Sequence, residues 1–157
     1  MYLKNHIFLG FIFSLALLLI SPQIGLIGFF LIFLSSVLID IDHYLYYVYK
    51  KKDWSLKNAY KWFIKTSKIF LSLPRKQRNN LYGGFCFLHG IEILLILFLL
   101  GIFVSKFFLF IILGISFHLI LDIVDESKCK DRVDKFSIIH DFLKFKKLKF
   151  IEDNEKK

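Results

Sequence analysis

The sequence predicts an all-α integral membrane protein: a bundle of four transmembrane helices in two hairpins, with amphipathic helices in the central loop and the C-terminal tail. Three observations predict it. The apolar residues, 56% of the 157 and including 20 Phe, come in long blocks rather than in the amphipathic periods of a soluble domain. Two short, nearly uncharged turns join the blocks in pairs. Lys and Arg collect between and after those pairs, away from the turns.

The first block, Ile7–Ile20, follows Lys4 and could pass for a signal peptide. No small-x-small cleavage pattern follows it, because Ser21-Pro22-Gln23 runs straight into more apolar residues; a retained helix over about 6–20 is expected. Pro22 stops that helix, since it cannot continue the hydrogen-bond ladder. The second block, Ile24–Ile39, predicts a span over about 24–40. The third runs from Phe85 to Val104, interrupted by His89 and Glu92. The fourth, Phe107–Val124, is interrupted by His118 and Asp122, and Ser105-Lys106 joins it to the third. The first two fall short of the about 20 residues a span needs. Tyr2, Leu3 and Ile41 can lengthen them, and a locally thinned bilayer can absorb the rest. Residues 1–125 thus form the membrane domain and 126–157 a basic tail.

The charges suggest an orientation. Lys50 to Arg78 holds ten Lys or Arg and one acid, Asp53; the tail after Val124 holds ten more among eight acids. The turns contribute only Lys106. The positive-inside rule then puts both termini and the basic loop 44–84 in the cytoplasm of a prokaryotic cell, with the chain crossing the cell membrane several times. The bilayer and its anionic lipid headgroups are the expected partners. Within the loop, Asp53 is placed to cap a helix starting at Trp54. Lys57, Lys61, Lys65 and Lys68 form one stripe of it, with Tyr60, Phe63, Ile64 and Phe70 on other faces. Such a helix suits an anionic lipid surface; the plainer reading is a solvated lysine face packed on the bundle. Pro74 ends it, and 75–80 form a polar link. In the tail, Asp134–Phe150 is helical in pattern, with Phe136, Ile139, Leu143 and Phe150 on an apolar side, and Glu152–Lys157 form a polar, frayed end. Lysine stripes attract any polyanion, so nucleic acid is not an expected partner. Cys86 and Cys129 lie far apart with no Cys-x-x-Cys spacing and read as reduced thiols.

Ionisable residues inside apolar spans are costly, so each asks for a reason. His6 starts the first span. Asp40, Asp42 and His43 end the second, His89 and Glu92 open the third, and His118 and Asp122 close the fourth. All eight fall at one depth, near the cytoplasmic face. Asp40 and His43 are three apart, His89 and Glu92 three apart, His118 and Asp122 four apart, so each pair shares a helix face. One imidazole nitrogen beside one carboxylate oxygen suits a divalent metal, zinc first, with manganese or iron as alternatives. The expected metal ligands are His6, Asp42, His43, His89, His118 and Asp122. Asp40 and Glu92 are the expected catalytic carboxylates, as general base or further ligands. Eight candidates exceed the needs of one ion, so either two ions bind or some residues only orient the ligands. Plainer readings stand beside these. Asp40, Asp42 and His43 can be interfacial polar residues, His6 can snorkel, and His89 can be a satisfied core histidine. Glu92 and Asp122, a turn inside the apolar region, each need a partner.

His6, then Asp40-Ile41-Asp42-His43, then a histidine opening the third span, then Ser116-Phe117-His118-Leu119-Ile120-Leu121-Asp122, in that order, resembles a family of small prokaryotic inner-membrane proteins. These are the membrane-bound metal-dependent hydrolases, also described as LexA-binding, inner-membrane-associated hydrolases. The resemblance covers most of the first 125 residues. It departs before the third span, where many members carry His-Arg-Gly-x-Thr-His-Ser. Here Gly84 stands in place of the earlier histidine, the Arg is missing, and His89 matches the later one; Glu92 is the candidate replacement ligand. The resemblance implies a membrane-embedded metal-dependent hydrolase; the donors' place at the cytoplasmic face and the chemistry of a metal-activated water lead to the expectation of a phosphoester or lipid-like substrate. The rival is a non-enzymatic metal-binding scaffold or carrier. A carrier needs ligands near the bilayer middle with access from both sides, and these gather at one end.

Overall fold

The computed structural model describes residues 3–82, 84–129, 133 and 136–150. It is all-α apart from one two-residue bridge. Helix α1 spans Leu3–Ile20; a single 3-10 turn, Pro22–Ile24, leads into α2, Gly25–Leu38; and α3, Ile41–Lys51, follows after two residues. Beyond them come α4 (Leu56–Ser72), α5 (Arg75–Arg78), α6 (Ile91–Phe103), α7 (Phe107–Cys129) and α8 (Ile138–Lys147). Leu81–Tyr82 (β1) pairs in parallel with Lys149–Phe150 (β2).

Among the described residues, three stretches are long and apolar enough to cross a membrane: Leu3–Ile20, Pro22–Lys51 and Phe107–Cys129. The chain's pattern of burial is inverted relative to a soluble protein. Large apolar side chains such as Phe8, Leu19, Leu26 and Phe103 are exposed, whereas His6, Ser14, Asp42, His89, His118 and Asp122 are buried. A surface of this kind belongs against lipid, so the chain is read as a membrane protein.

The turn between α1 and α2 follows from Pro22 and from Gly25, whose φ of 65° and ψ of 176° lie in a region reserved for glycine. At the other end of α2 the helix tightens. His43 N–H donates to Asp40 O at 3.1 Å, an i→i+3 bond, and Asp40 N–H reaches Val37 O at 3.4 Å. Tightened turns inside a helix often sit at functional positions, and here the turn falls on Asp40.

The third apolar segment departs from expectation. The helix begins at Ile91, not Phe85, because Gly90 is extended (φ −148°, ψ 151°) and residues 84–90 form a loop. Its 13 residues measure about 20 Å, less than the about 30 Å of a hydrocarbon core. The C-terminal helix is also shorter than the pattern suggested. Ser137 caps α8 and Phe150 lies in the β-bridge rather than on the helix. Asp134 and Glu152–Lys157 lie outside the described residues.

α2 is the central helix, packed against α7 on one side and α1 on the other, with α6 against α7. Small residues permit the close approach. A methyl group at Gly114 would strike the Ile32 carbonyl oxygen and Ser35 Oγ, and one at Gly10 would strike Ser36 Oγ. Ile39, Ile115 and Leu119 form a buried cluster, with Leu88, Ile93 and Leu97 packed on it. That cluster borders the polar centre described below.

α4 docks on α3 through Ala59, Trp62 and Phe63 against Tyr47 and Val48, and Lys57, Lys61, Lys65 and Lys68 face outward. Its cap is Ser55, whose Oγ accepts Asn58 N–H, and not Asp53. Asp53 braces the α3–α4 corner instead, accepting from Ser55 N–H (2.9 Å), Tyr47 hydroxyl (2.7 Å) and Asn58 Nδ2 (2.8 Å). Ser55 N–H first, then Tyr47 and Asn58, hold its pKa below the ordinary 3.8. A depressed folded value means that the brace stabilises above pH 3.8 and is lost as pH falls through the folded value. Protection of the amides of residues 53–58, relative to their intrinsic exchange rate at each pH, should therefore fall in acid, and Asp53→Asn should remove that acid-dependent step.

Candidate metal centre

Four of the five histidines and three aspartates meet where α1, α2, α3, α7 and the loop before α6 come together. At its heart are two imidazole nitrogens and two carboxylate oxygens. His89 Nε2 and His118 Nε2 are 3.2 Å apart. Asp40 Oδ1 is 3.5 Å from each of them. Asp122 Oδ2 is 3.6 Å from His89 Nε2 and 3.5 Å from His118 Nε2. Bonds of about 2.0–2.2 Å to a tetrahedral zinc place neighbouring donors about 3.3–3.6 Å apart. All five separations lie within about 0.1 Å of that range.

The hydrogen bonds on the far side of each ring point the same way. His118 Nδ1 lies 2.8 Å from the Ser36 carbonyl, which can only accept, so Nδ1 carries the proton. His89 Nδ1 lies 2.9 Å from Asp42 Oδ2, which also accepts Leu88 N–H at 3.0 Å; an ionised Asp42 makes this Nδ1 a donor as well. Two neutral rings so oriented turn their Nε2 lone pairs toward each other at 3.2 Å. That is repulsive unless a cation, a metal ion or a proton, lies between them. Residues 5–49, 79–105 and 107–127 contain no Lys or Arg, so these segments supply no fixed positive charge to balance their buried carboxylates. Burial of unbalanced charge is expensive.

Supporting residues surround the four donors. His6 Nε2 is 3.3 Å from Asp122 Oδ1, and its ring stacks on His118 at 4.0 Å and 17°. Among the described residues, His6 Nδ1 and Asp42 Oδ1 are buried without a hydrogen-bond partner. His43 Nε2 is 3.6 Å from Asp40 Oδ1 on the more open side. Three overlapping donor groups result: Asp40, His89 and His118; His6, His118 and Asp122; and Asp42, His43, Cys86 and His89. The donor set fits a divalent cation.

Seven of the eight sequence candidates are brought together, in altered roles. His118 and Asp122 share a helix face, as their spacing required. Asp42 and His6 do not contribute the converging atoms; they hold His89 and Asp122 from behind. Asp40, expected as a catalytic carboxylate, offers one of the four converging atoms. Glu92 is the exception. Its Oε1 accepts Ser137 Oγ–H at 2.6 Å and its Oε2 accepts Ile138 N–H at 3.0 Å, so it anchors the start of α8. It needed a partner, and a helix terminus supplies it. The His89–Glu92 face does not exist because His89 precedes the helix. Two contributors escaped sequence reasoning. Cys86 Sγ lies 3.4 Å from His43 Nδ1; its Cys-x-x-His spacing to His89 was the available signal. The Ser36 carbonyl carried no signal, since backbone acceptors have none.

No protein-family model, curated protein or solved structure matches the chain.

Proposed function

We propose that the chain is a membrane-embedded metal-dependent hydrolase, as its motifs suggest, holding one divalent ion on His89, His118 and Asp122 with Asp40 beside it. Zinc is the first candidate; manganese or iron would also suit these donors. The observation that carries the reading is that Asp40 and Asp122 each offer an oxygen 3.5–3.6 Å from both His89 Nε2 and His118 Nε2, whose lone pairs face each other at 3.2 Å. In this reading α1 with α2 and α6 with α7 form two hairpins across the bilayer, with a thinned bilayer accommodating the short α6. Both termini and the basic loop are cytoplasmic.

When bound, the ion would polarise a phosphoryl or similar oxygen and bring the pKa of water toward about 7. The rest falls to the chain. Asp42 and the Ser36 carbonyl fix the two imidazoles by their Nδ1–H groups, and His6 fixes Asp122. Asp40, with its side chain 18% exposed against 0–3% for the other three donors, is the one solvent reaches. It is assigned the proton of the attacking water. The water oxygen bonds to phosphorus, the ester P–O bond breaks, and Asp40 passes the water's proton to the departing oxygen. The substrate is a phosphoester or similar lipid-like molecule.

One observation favours the second reading, a metal-braced scaffold: as many as four protein donors crowd the site, and closed sites are structural whereas catalytic ones keep a position open. Asp40→Asn separates the two. The hydrolase reading expects the purified variant to keep one ion per chain and to lose chelator-sensitive phosphoester turnover. Loss of the ion without any turnover in the parent protein would establish the scaffold.

A further inference from the structure

Beside the centre lies an apolar groove of about 380 Å³, lined by Leu45, Tyr46 and Tyr49 of α3 and by Phe85 and Phe87 of the loop before α6. We propose that this groove seats an acyl chain of an anionic phospholipid whose phosphate rests at Lys50 and Lys52, presenting that lipid to the metal centre. The lipid's role as substrate rests on the hydrolase reading; its binding does not.

The groove's chemistry selects the chain. Every lining side chain is apolar or aromatic, so a sugar or nucleotide would lose its hydrogen bonds on entry. Its volume falls within the about 300–1,000 Å³ of small-ligand sites. α3 closes a stretch long and apolar enough to cross a membrane, and beside lipid an open apolar groove fills with hydrocarbon.

Charge selects the headgroup. Lys50 Nζ stands 5.9 Å from the centre of the Tyr46 ring and Lys52 Nζ stands 4.8 Å from that of Tyr49. Two of the aromatic walls therefore each carry an ammonium group, at the end where α3 leaves the apolar region. A phosphate there meets cations, and a zwitterionic headgroup gains less.

The groove also shares a wall with the centre. Cys86, between the two lining phenylalanines, touches His43 at 3.4 Å, and His43 Nε2 lies 3.6 Å from Asp40 Oδ1. The groove's occupant is thereby separated from the open, Asp40 side of the donor cluster only by Cys86 and the His43 ring.

The test uses the full chain reconstituted in nanodiscs of equal phosphatidylglycerol and phosphatidylcholine, with bound lipid read by native mass spectrometry and metal by elemental analysis. The wild type should retain phosphatidylglycerol over phosphatidylcholine by about tenfold or more. Leu45→Trp, which fills the groove, should lower retained lipid by about tenfold at unchanged metal content. Tyr49→Ala removes a wall that is 74% exposed, so folding is spared and the same loss is expected. Lys50→Gln with Lys52→Gln should bring the two lipids toward equal retention. Equal retention by the wild type, wild-type retention in both groove variants, a fatty acid in place of the phospholipid, or a dimer that covers the groove would each overturn the proposal. Lipid retained without metal would overturn the hydrolase reading alone; metal without lipid would overturn the groove alone.

Discussion

Replacing His118 by alanine should leave the purified protein without its ion and abolish any hydrolysis that depends on it. The ring supplies one of the four converging donor atoms, and it is tied to several neighbours. Its Nδ1–H satisfies the Ser36 carbonyl at 2.8 Å, its face stacks on His6, and its Nε2 lies 3.5 Å from both Asp40 and Asp122. Alanine therefore removes a ligand, strands a buried carbonyl and leaves a void. Asp42→Asn is the graded control. It keeps the shape behind His89 but weakens the charge that orients Nδ1–H, and supporting residues of this kind are worth about 10–100-fold in metal affinity. The expected order in a chelator competition is wild type, then Asp42→Asn weaker by that factor, then no stoichiometric metal in His118→Ala. A full complement of metal in His118→Ala would remove the centre from consideration.

Gly114→Val should have the largest effect on stability, and it should empty the centre without touching any donor. The valine Cβ would enter space held by the Ile32 carbonyl oxygen, Ser35 Oγ and Ser36 N. Two of those are backbone atoms of α2, which cannot swing aside as a side-chain end can. Overpacking costs about 1–3 kcal/mol where side chains give way, and more is expected where two helices must separate. Separation carries the Ser36 carbonyl away from His118, so metal content should fall together with the melting temperature in detergent. Gly101→Ala is the comparison. Its added methyl meets the Leu109 side chain, whose tip can move, so only a small loss of stability and an intact centre are expected. Wild-type melting and metal content in Gly114→Val would mean that α2 and α7 do not pack in this way.

The helices that carry the centre were legible where apolar runs are uninterrupted and the turns obey proline and glycine. His118 and Asp122 were legible as a pair because their segment really is a helix. The same spacing rule misled at His89 and Glu92, since a face exists only where the backbone is helical and Gly90 breaks it one residue after His89. The division of labour between Asp40 and Asp42 was hidden for a related reason. Residues two apart on a regular helix point in nearly opposite directions, and both reach His89 only because the helix tightens at Asp40. Glu92 illustrates the limit of arguing from burial cost: the need for a partner was read correctly, but sequence does not say which partner meets it.

His6 has a consequence for how the molecule is made. It belongs to α1, made well before α7, yet its ring rests on His118, more than a hundred residues later. Contacts that distant must wait until the intervening loops have closed. During synthesis His6 therefore enters the bilayer with its polar edge unmet, and the full set of candidate donors exists only after α7, which carries His118 and Asp122, has inserted. In the metal-binding reading, capture of the ion would then act as a seal on completed assembly, and chains truncated before α7 are expected to bind no ion.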